Sequence, residues 1–291
     1  MQAEQGECML WVLMTTYNRR EQTVECFKSL LGAYKGSMAI VDVDAGSIDG
    51  TGIYLRKCME NAKKSRRYGS RDISLRILHC KKNVYWNQGM RYAMSYAAKH
   101  AKPGDDILLV NDDVVFYEDS IDTLMKRRKR YRAATVVGAV CSETGEQTYG
   151  GVRTLSNFFA KFEVIPPANK PVPCDTFNCN CLLMSLECMK KNGNLDGNYT
   201  HSMGDYDYGL RMKRKGLKVI SSAGYVGTCE ANPIEDSWQD PELPIFERIM
   251  KKENPKGLPA KDWFYFVKKN YGMLSAIYHS LTPYVRIILG I

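Results

Sequence analysis

At 291 residues, with 44% hydrophobic and 25% charged side chains, the chain has the make-up of an ordinary globular protein. That composition excludes a disordered, collagen-like or disulfide-scaffold polypeptide and leaves room for one large domain or two small ones. The formal net charge of +9, from Lys+Arg 41 against Asp+Glu 32, favours anionic partners of three kinds: nucleic acid, anionic lipid or phosphorylated small molecules.

The opening MQAEQGE lacks the basic-then-apolar layout of a signal peptide. Residues 9–14 (MLWVLM) form the first apolar run and end in TTYNRR. A short continuous run of this kind reads as a strand buried on both faces, as in parallel sheets. Residues 21–33 follow with Val24, Phe27, Leu30 and Leu31 at helical spacing. A second strand over 38–43 ends in DAGSIDGTG, a helix over 52–64 leads to a third strand over 74–80, and 88–99 is helical again. Asp106–Val110 (DILLV) is a fourth buried strand that runs straight into Asn111, Asp112 and Asp113. Strands alternating with helices predict an open α/β sheet, in which ligands bind outside the carboxyl ends of the strands. The polar tips TTYNR, DAGSIDGT, KKNVYWN and NDD are therefore expected along one rim.

Beyond Val136 the pattern loosens. Residues 148–153 (TYGGVR) and the proline-rich 166–173 read as turns and connections, 176–185 as a strand, and 204–216 as a short helix closed by Gly216. A linker rich in proline and acidic residues over 233–244 leads into a basic, aromatic tail. The expected organisation is a main unit over 1–232 and a helical extension over 233–291. The ten cysteines form no CxxC pair, and none of the four histidines stands in zinc-finger spacing. No stretch approaches the ~20 apolar residues needed to span a bilayer. A cytoplasmic protein with reduced, mostly buried thiols is the expectation.

Asp112 and Asp113 leave a buried strand side by side, where two carboxylates repel unless a cation joins them. A divalent metal bound through oxygen is the natural cation and would also attract a diphosphate; a plain helix N-cap pair is the alternative. No GxGxxG follows the first strand and no GxxxxGK[ST] occurs. Instead, Thr15, Thr16, Tyr17, Asn18 and Arg19 offer hydroxyls, a ring for a stacked base and a guanidinium for phosphate, or else a simple turn. In HSMGDYDYGLR, Asp207 and Arg211 are four apart and so can pair on a helix. That frees Asp205 to face a cleft as a general base, unless both aspartates only complement the helix dipole.

These segments together resemble family 2 glycosyltransferases of the GT-A fold. The family's strand followed by T-x-Y-N-R/K stands as Thr15 to Arg19, its D-[DN]-G-S-x-D-G-T as Asp44 to Thr51, and its N-x-G segment entering a helix looks like Asn83 to Gly89. Its metal-binding D-x-D variant looks like Asn111 to Asp113, and its [ED]-D-x-D element like Gly204 to Asp207. TYGGVR, DTFN, GDYDYGLR and GYVG further resemble a bacterial rhamnosyltransferase-like subgroup of surface polysaccharide assembly.

The resemblance covers residues 8 to 230. It implies a Rossmann-like, mainly parallel sheet flanked by helices and a metal-dependent, inverting transfer from a nucleoside-diphosphate sugar to a glycan or lipid-linked hydroxyl. It places the donor at Thr15, Tyr17, Asn18, Arg19, Asp44, Asn83, Trp86, Asn87 and Asp112. It places Mn²⁺ or Mg²⁺ at Asp113 with Asp112, and the base at Asp205, with His201, Asp207 and Arg211 at the acceptor side or behind the base. Three positions depart from the family pattern: Ala45 for an acid or amide, Gly204 for an acid, and GYVGTCEAN where a late histidine usually completes the metal site, leaving Cys229 or solvent. A nucleotide-sugar-forming nucleotidyltransferase and a catalytically silent glycan- or nucleotide-binding subunit are the competing readings.

The basic runs in 57–82 and 126–132 (KRRKRYR) read as solvated helix faces, since they lack the interleaved aromatics and modules of nucleic-acid binders. In the tail, Trp263, Phe264, Phe266, Val267 and Tyr271 share a helical face beside Lys261, Lys268 and Lys269. Either they pack on the main unit or dimerise, or the tail lies on an anionic membrane, which would place the protein at its cytoplasmic face.

Overall fold

The computed structural model describes residues 8–80 and 84–290. In chain order the elements are β1 (Leu10–Thr16), α1 (Arg20–Ala33), β2 (Met38–Asp44), α2 (Thr51–Lys64), β3 (Ile73–His79), α3 (Trp86–His100), β4 (Asp106–Val110) and β5 (Val115–Phe116). There follow α4 (Ser120–Tyr131), β6 (Thr135–Cys141), β7 (Gln147–Tyr149), β8 (Gly151–Thr154), β9 (Phe162–Val164), β10 (Thr176–Phe177), β11 (Cys181–Ser185) and α5 (Leu186–Asn192). The chain closes with α6 (Gly204–Arg214), β12 (Val219–Thr228), α7 (Ile245–Glu253), α8 (Ala260–Tyr271) and α9 (Met273–Leu289).

The main sheet runs β3-β2-β1-β4-β11-β6-β12-β5, with β7 on β6, and a small second sheet runs β10-β8-β9. From β3 to β4 every pair is parallel, as the apolar runs predict. β11 then inserts antiparallel between β4 and β6, so the sheet is mixed. Residues on the two faces of the sheet form two separate cores. Phe27, Leu30 and Leu55 of α1 and α2 lie in one, and Met90, Met94, Tyr208 and Met212 of α3 and α6 lie in the other.

The second half departs from expectation. TYGGVR, expected as a turn, supplies β7 and β8, while 176–185 splits into β10 and β11. β6 pairs with β11 and β12 and is buried along its whole length. Its Gly138 admits that packing, because a Cβ there would meet Cys181 Sγ at 2.7 Å and Val226 at 2.8 Å. The basic run of α4 also departs from a solvated face. Arg127 is buried and donates to the carbonyls of Ala168, Asn169, Lys170 and Ser221, and Arg128 pairs with buried Asp106.

The tail divides into two behaviours. Trp263, Phe266 and Val267 of α8 are buried with Tyr199 and Leu210, so this face packs on the main unit. α9 instead leaves Leu274, Leu281 and Ile288 exposed at 74%, 62% and 62%. Among the described residues, no helix is long and apolar enough to cross a membrane.

One buried acid sits below the rim. Asp42 on β2 is fully buried, accepts a bond from Thr16 Oγ1 at 3.2 Å, and leaves Oδ1 without a partner. Burial pushes its pKa up to about 8, with Asp44 and Asp112 adding to the shift and the Thr16 bond opposing it. The unfolded chain ionises such a group near ~3.9, so this contribution to stability is complete below pH ~4 and is lost as pH rises to ~8. Asp42→Asn removes that loss. Its thermal midpoint is expected to exceed wild type by ~5 °C or more at pH 8 and to converge with it at pH 4, measured by scanning fluorimetry.

Candidate active site

The β1 and β2 tips are stitched into one floor. Asn18 adopts a left-handed backbone (φ 48) that turns the chain from β1 into α1. Its amide donates to Ser47 Oγ at 3.0 Å, and its Oδ1 accepts from Ile48 N at 2.8 Å. Asp49 does more: Oδ2 accepts from Arg20 N at 2.9 Å, and Oδ1 accepts from Thr51 N at 3.0 Å and Thr51 Oγ1 at 2.6 Å. One carboxylate therefore caps the first turns of α1 and α2 together, where N–H groups lack helical partners. Asp44 at the end of β2 accepts from Ser47 N at 2.8 Å and meets His79 Nδ1 at 3.2 Å. Tyr17, just past the end of β1, is 39% exposed. Thr15 is half-buried at the end of β1, and the Cβ position of Gly89 lies 2.8 Å from its Cγ2, so β1 and α3 meet in close contact.

The acidic pair lies at the end of β4. Arg19 spans it, Nη1 donating to Asp112 Oδ1 at 3.0 Å and Nη2 to Asp113 Oδ2 at 2.9 Å. The remaining oxygens are also engaged: Thr23 Oγ1 donates to Asp112 Oδ2 at 3.1 Å, and Cys229 Sγ to Asp113 Oδ1 at 3.5 Å. Burial pushes the Asp112 pKa up to about 6, opposed by Arg19 and reinforced by Asp113. Burial, with Asp113 beside it, pushes the Cys229 thiol up to about 12, so it donates as a neutral group. Behind the pair, Trp86 Nε1 donates to Asn111 Oδ1 at 2.9 Å.

A further acidic residue, Asp205, lies in the first turn of α6. Asp205 is half-buried, and its carboxylate accepts from Tyr206 N at 2.8 Å and from the Cys179 amide. Burial pushes its pKa up to about 6 against those bonds, which makes it a base usable at neutral pH. The 178–180 segment links Asp205, through the Cys179 amide, to the acidic pair: Asn111 N donates to Asn180 O, and Asn180 Nδ2 donates to Cys229 Sγ. His201 Nδ1 accepts from Trp86 N at 3.3 Å, and burial and Lys256 lower its pKa to about 4, so the ring is neutral. At Gly204 a Cβ would stand 2.0 Å from Asn87 Oδ1, so any side chain there requires the buried Asn87 amide to shift.

Several expected roles move. Asp207 does not pair with Arg211. It is fully buried and bonds Lys269 of α8 at 2.8 Å, while Arg211 donates to Asn194 O at 2.5 Å and lies over the Tyr208 ring. Lys269 also reaches Asp196 at 2.7 Å, so Asp207 anchors the tail. Asn87 is fully buried and spends its amide on Asp196 O and Tyr199 O, so it braces the loop before α6. Asn83 lies outside the described residues.

The sequence profile of Glycosyl transferase family 2 matches residues 11–186, more than half of the chain. The chain belongs to glycosyl transferase family 2. No curated protein sequence matches it. Among solved structures, this glycosyltransferase is similar to the mannosyltransferase PcManGT of Pyrobaculum calidifontis in complex with GDP-Man and Mn²⁺ (TM-score 0.58, 14% identity, 98% of this chain and 75% of that one). It is also similar to S. aureus TarS 1-349 (0.57, 14%, 96% and 81%) and to GalNAc-T7 with UDP, GalNAc and Mn²⁺ (0.55, 12%, 97% and 55%). These likenesses establish the GT-A fold for the glycosyltransferase, with its helical C-terminal region.

Among the described residues no group of three or more His, Cys, Asp or Glu side chains gathers to hold a metal ion, so a cation at the acidic pair of the glycosyltransferase would draw on two carboxylates and solvent. Asp112 and Asp113 already converge on one cationic group, and carboxylate oxygens are the ligands that Mn²⁺ and Mg²⁺ prefer. Cys229, one of the two substitutes expected for the family's late histidine, lies with its Sγ 3.5 Å from Asp113 Oδ1. Thr23 and His79 are supporting residues outside the motifs, whereas Asp49 stands inside the Asp44 to Thr51 motif, which assigned it no role of its own. The only sequence signal for Thr23 and His79 is their place near a helix start and a strand end, which many inert residues share.

Proposed function

We propose that this glycosyltransferase moves a sugar from a nucleoside-diphosphate donor to a hydroxyl of a glycan or lipid-linked acceptor, with inversion, in cytoplasmic assembly of a surface polysaccharide. The observation that carries the reading is one rim bearing a cation-holding carboxylate pair and, across the 178–180 bridge, a half-buried carboxylate with a pKa of about 6. The fold neighbours with bound GDP-Man and UDP-GlcNAc support a nucleotide sugar as donor.

In this reading Tyr17 stacks the base, and Asp44, held by Ser47 and His79, contacts the nucleoside. Asp113, with Asp112 beside it, would hold Mn²⁺ or Mg²⁺, and that ion when bound would neutralise charge on the departing diphosphate. Asp205 takes the proton of the attacking hydroxyl, and a single base with direct displacement inverts the anomeric carbon. His201, neutral and beside Trp86, shapes the acceptor side.

The test is a panel of nucleotide sugars, including a nucleoside-diphosphate rhamnose as the TYGGVR and GDYDYGLR stretches suggest, scored by thermal shift with Mn²⁺. The best donor is then followed for nucleoside-diphosphate release and product configuration by NMR. Slow release and an inverted product are expected. Binding without turnover would favour a silent module, and a retained configuration would remove the displacement.

The tail adds a membrane contact to the proposal. Leu274, Tyr278, Leu281, Val285 and Ile288 make an exposed apolar row on α9, which carries no acidic residue. Such a row suits the headgroup boundary where a lipid-linked acceptor lies. Leu281→Glu with Ile288→Glu is expected to abolish flotation with anionic liposomes and to leave the thermal midpoint near wild type. Unchanged flotation would remove the contact.

A further inference from the structure

The cation that neutralises the acidic pair in this chain is its own Arg19. The guanidinium gives one N–H to each carboxylate, a fork spread across two residues rather than closed on one. Thr23 and Cys229 occupy the other two oxygens, so all four are engaged from within the chain. Among the described residues the Arg19 side chain donates hydrogen bonds only to these two carboxylates, and it is 45% exposed. Asp112 is 7% exposed and is also bonded by Thr23, whereas Asp113 is 26% exposed.

We propose that Arg19 is a displaceable internal counter-ion, which competes with a divalent cation for Asp112 and Asp113 and must swing away before that cation binds. The proposal rests on the metal-holding reading of the pair and deepens it. A guanidinium and a divalent ion on the same two oxygens would place like charges within contact range, in a half-buried site where screening is weak. The exposed arginine is the partner free to leave. The pair is thereby kept from standing as two bare carboxylates in the absence of metal, and metal affinity is set lower than the carboxylates alone would give.

The experiment measures Mn²⁺ binding to the full chain without donor, by titration calorimetry and by the EPR signal of free Mn²⁺, at fixed pH and ionic strength. Arg19→Met is expected to tighten Mn²⁺ binding by about tenfold or more, as removal of a competing intramolecular cation requires. Arg19→Lys, which keeps the charge, should stay within about threefold of wild type. In Arg19→Ala, a few millimolar guanidinium should weaken Mn²⁺ binding back toward wild type, a response that simple loosening of the loop would not produce. Equal or weaker Mn²⁺ binding by Arg19→Met overturns the proposal. If Asp113→Ala loses Mn²⁺ while Arg19→Met matches wild type, the metal reading stands and the counter-ion role falls. If neither wild type nor any Arg19 variant binds Mn²⁺, both fall.

Discussion

Asp205→Asn is expected to lower sugar transfer by roughly 10²–10⁴-fold while donor affinity stays within about twofold of wild type. The substitution is nearly isosteric, and an amide oxygen can still accept from Tyr206 N and the Cys179 amide. What is lost is the ability to take a proton. The half-buried carboxylate has its pKa raised to about 6, high for an aspartate yet low enough to be ionised at neutral pH. The sign follows directly: activity falls as pH drops through the folded value, because protonation removes the base. With donor saturating, kcat should break near pH 6 and fall tenfold per unit below it, and the Asn variant should lose that break. Burial raises Asp112 to about 6 as well in the metal-free chain, so kcat is to be read separately from kcat/KM. Calorimetry with the donor supplies the control: equal loss of binding and turnover would remove the base assignment.

Asp113→Ala is the second large effect. Donor affinity in Mn²⁺ is expected to drop by about 100-fold or more, to the level seen without metal, since the ligand that faces solvent is gone. Asp113 is the better probe of the two acids. Its side chain is 26% exposed against 7% for Asp112, which Thr23 ties down beneath it. Removing Asp112 would strip a buried partner from Thr23 and Arg19 and confound binding with stability. Calorimetry with and without Mn²⁺ decides the matter, and a variant that binds donor normally with metal would exclude Asp113 as a ligand.

The part of the fold written in the sequence is the part held by local pattern. MLWVLM, MAIVDV and DILLV are buried on both faces in parallel pairing, and each ends in the polar residues that make the rim. The second half is held by long-range pairing. TVVGAVC becomes a central strand only because β11 and β12 flank it, and TYGGVR becomes two strands only because β6, β9 and β10 wait beside it. The site follows the same division. The acidic pair, Tyr17 and Asp205 stand in short motifs at strand and helix ends. The Asp207 to Lys269 bond and the buried work of Asn87 join segments far apart in the chain, which spacing within one helix cannot foretell.

The double cap at Asp49 has a consequence for altering donor choice. Residues 15–20 and 44–51 hang from the same carboxylate and the same Asn18 amide. They behave as one cassette. Grafting either loop alone from a relative would leave a helix start uncapped or a left-handed asparagine without its seat, whereas transplanting both with Asp49 keeps the junction whole. Recombination between family members would therefore preserve function most often at crossovers outside these two segments taken together.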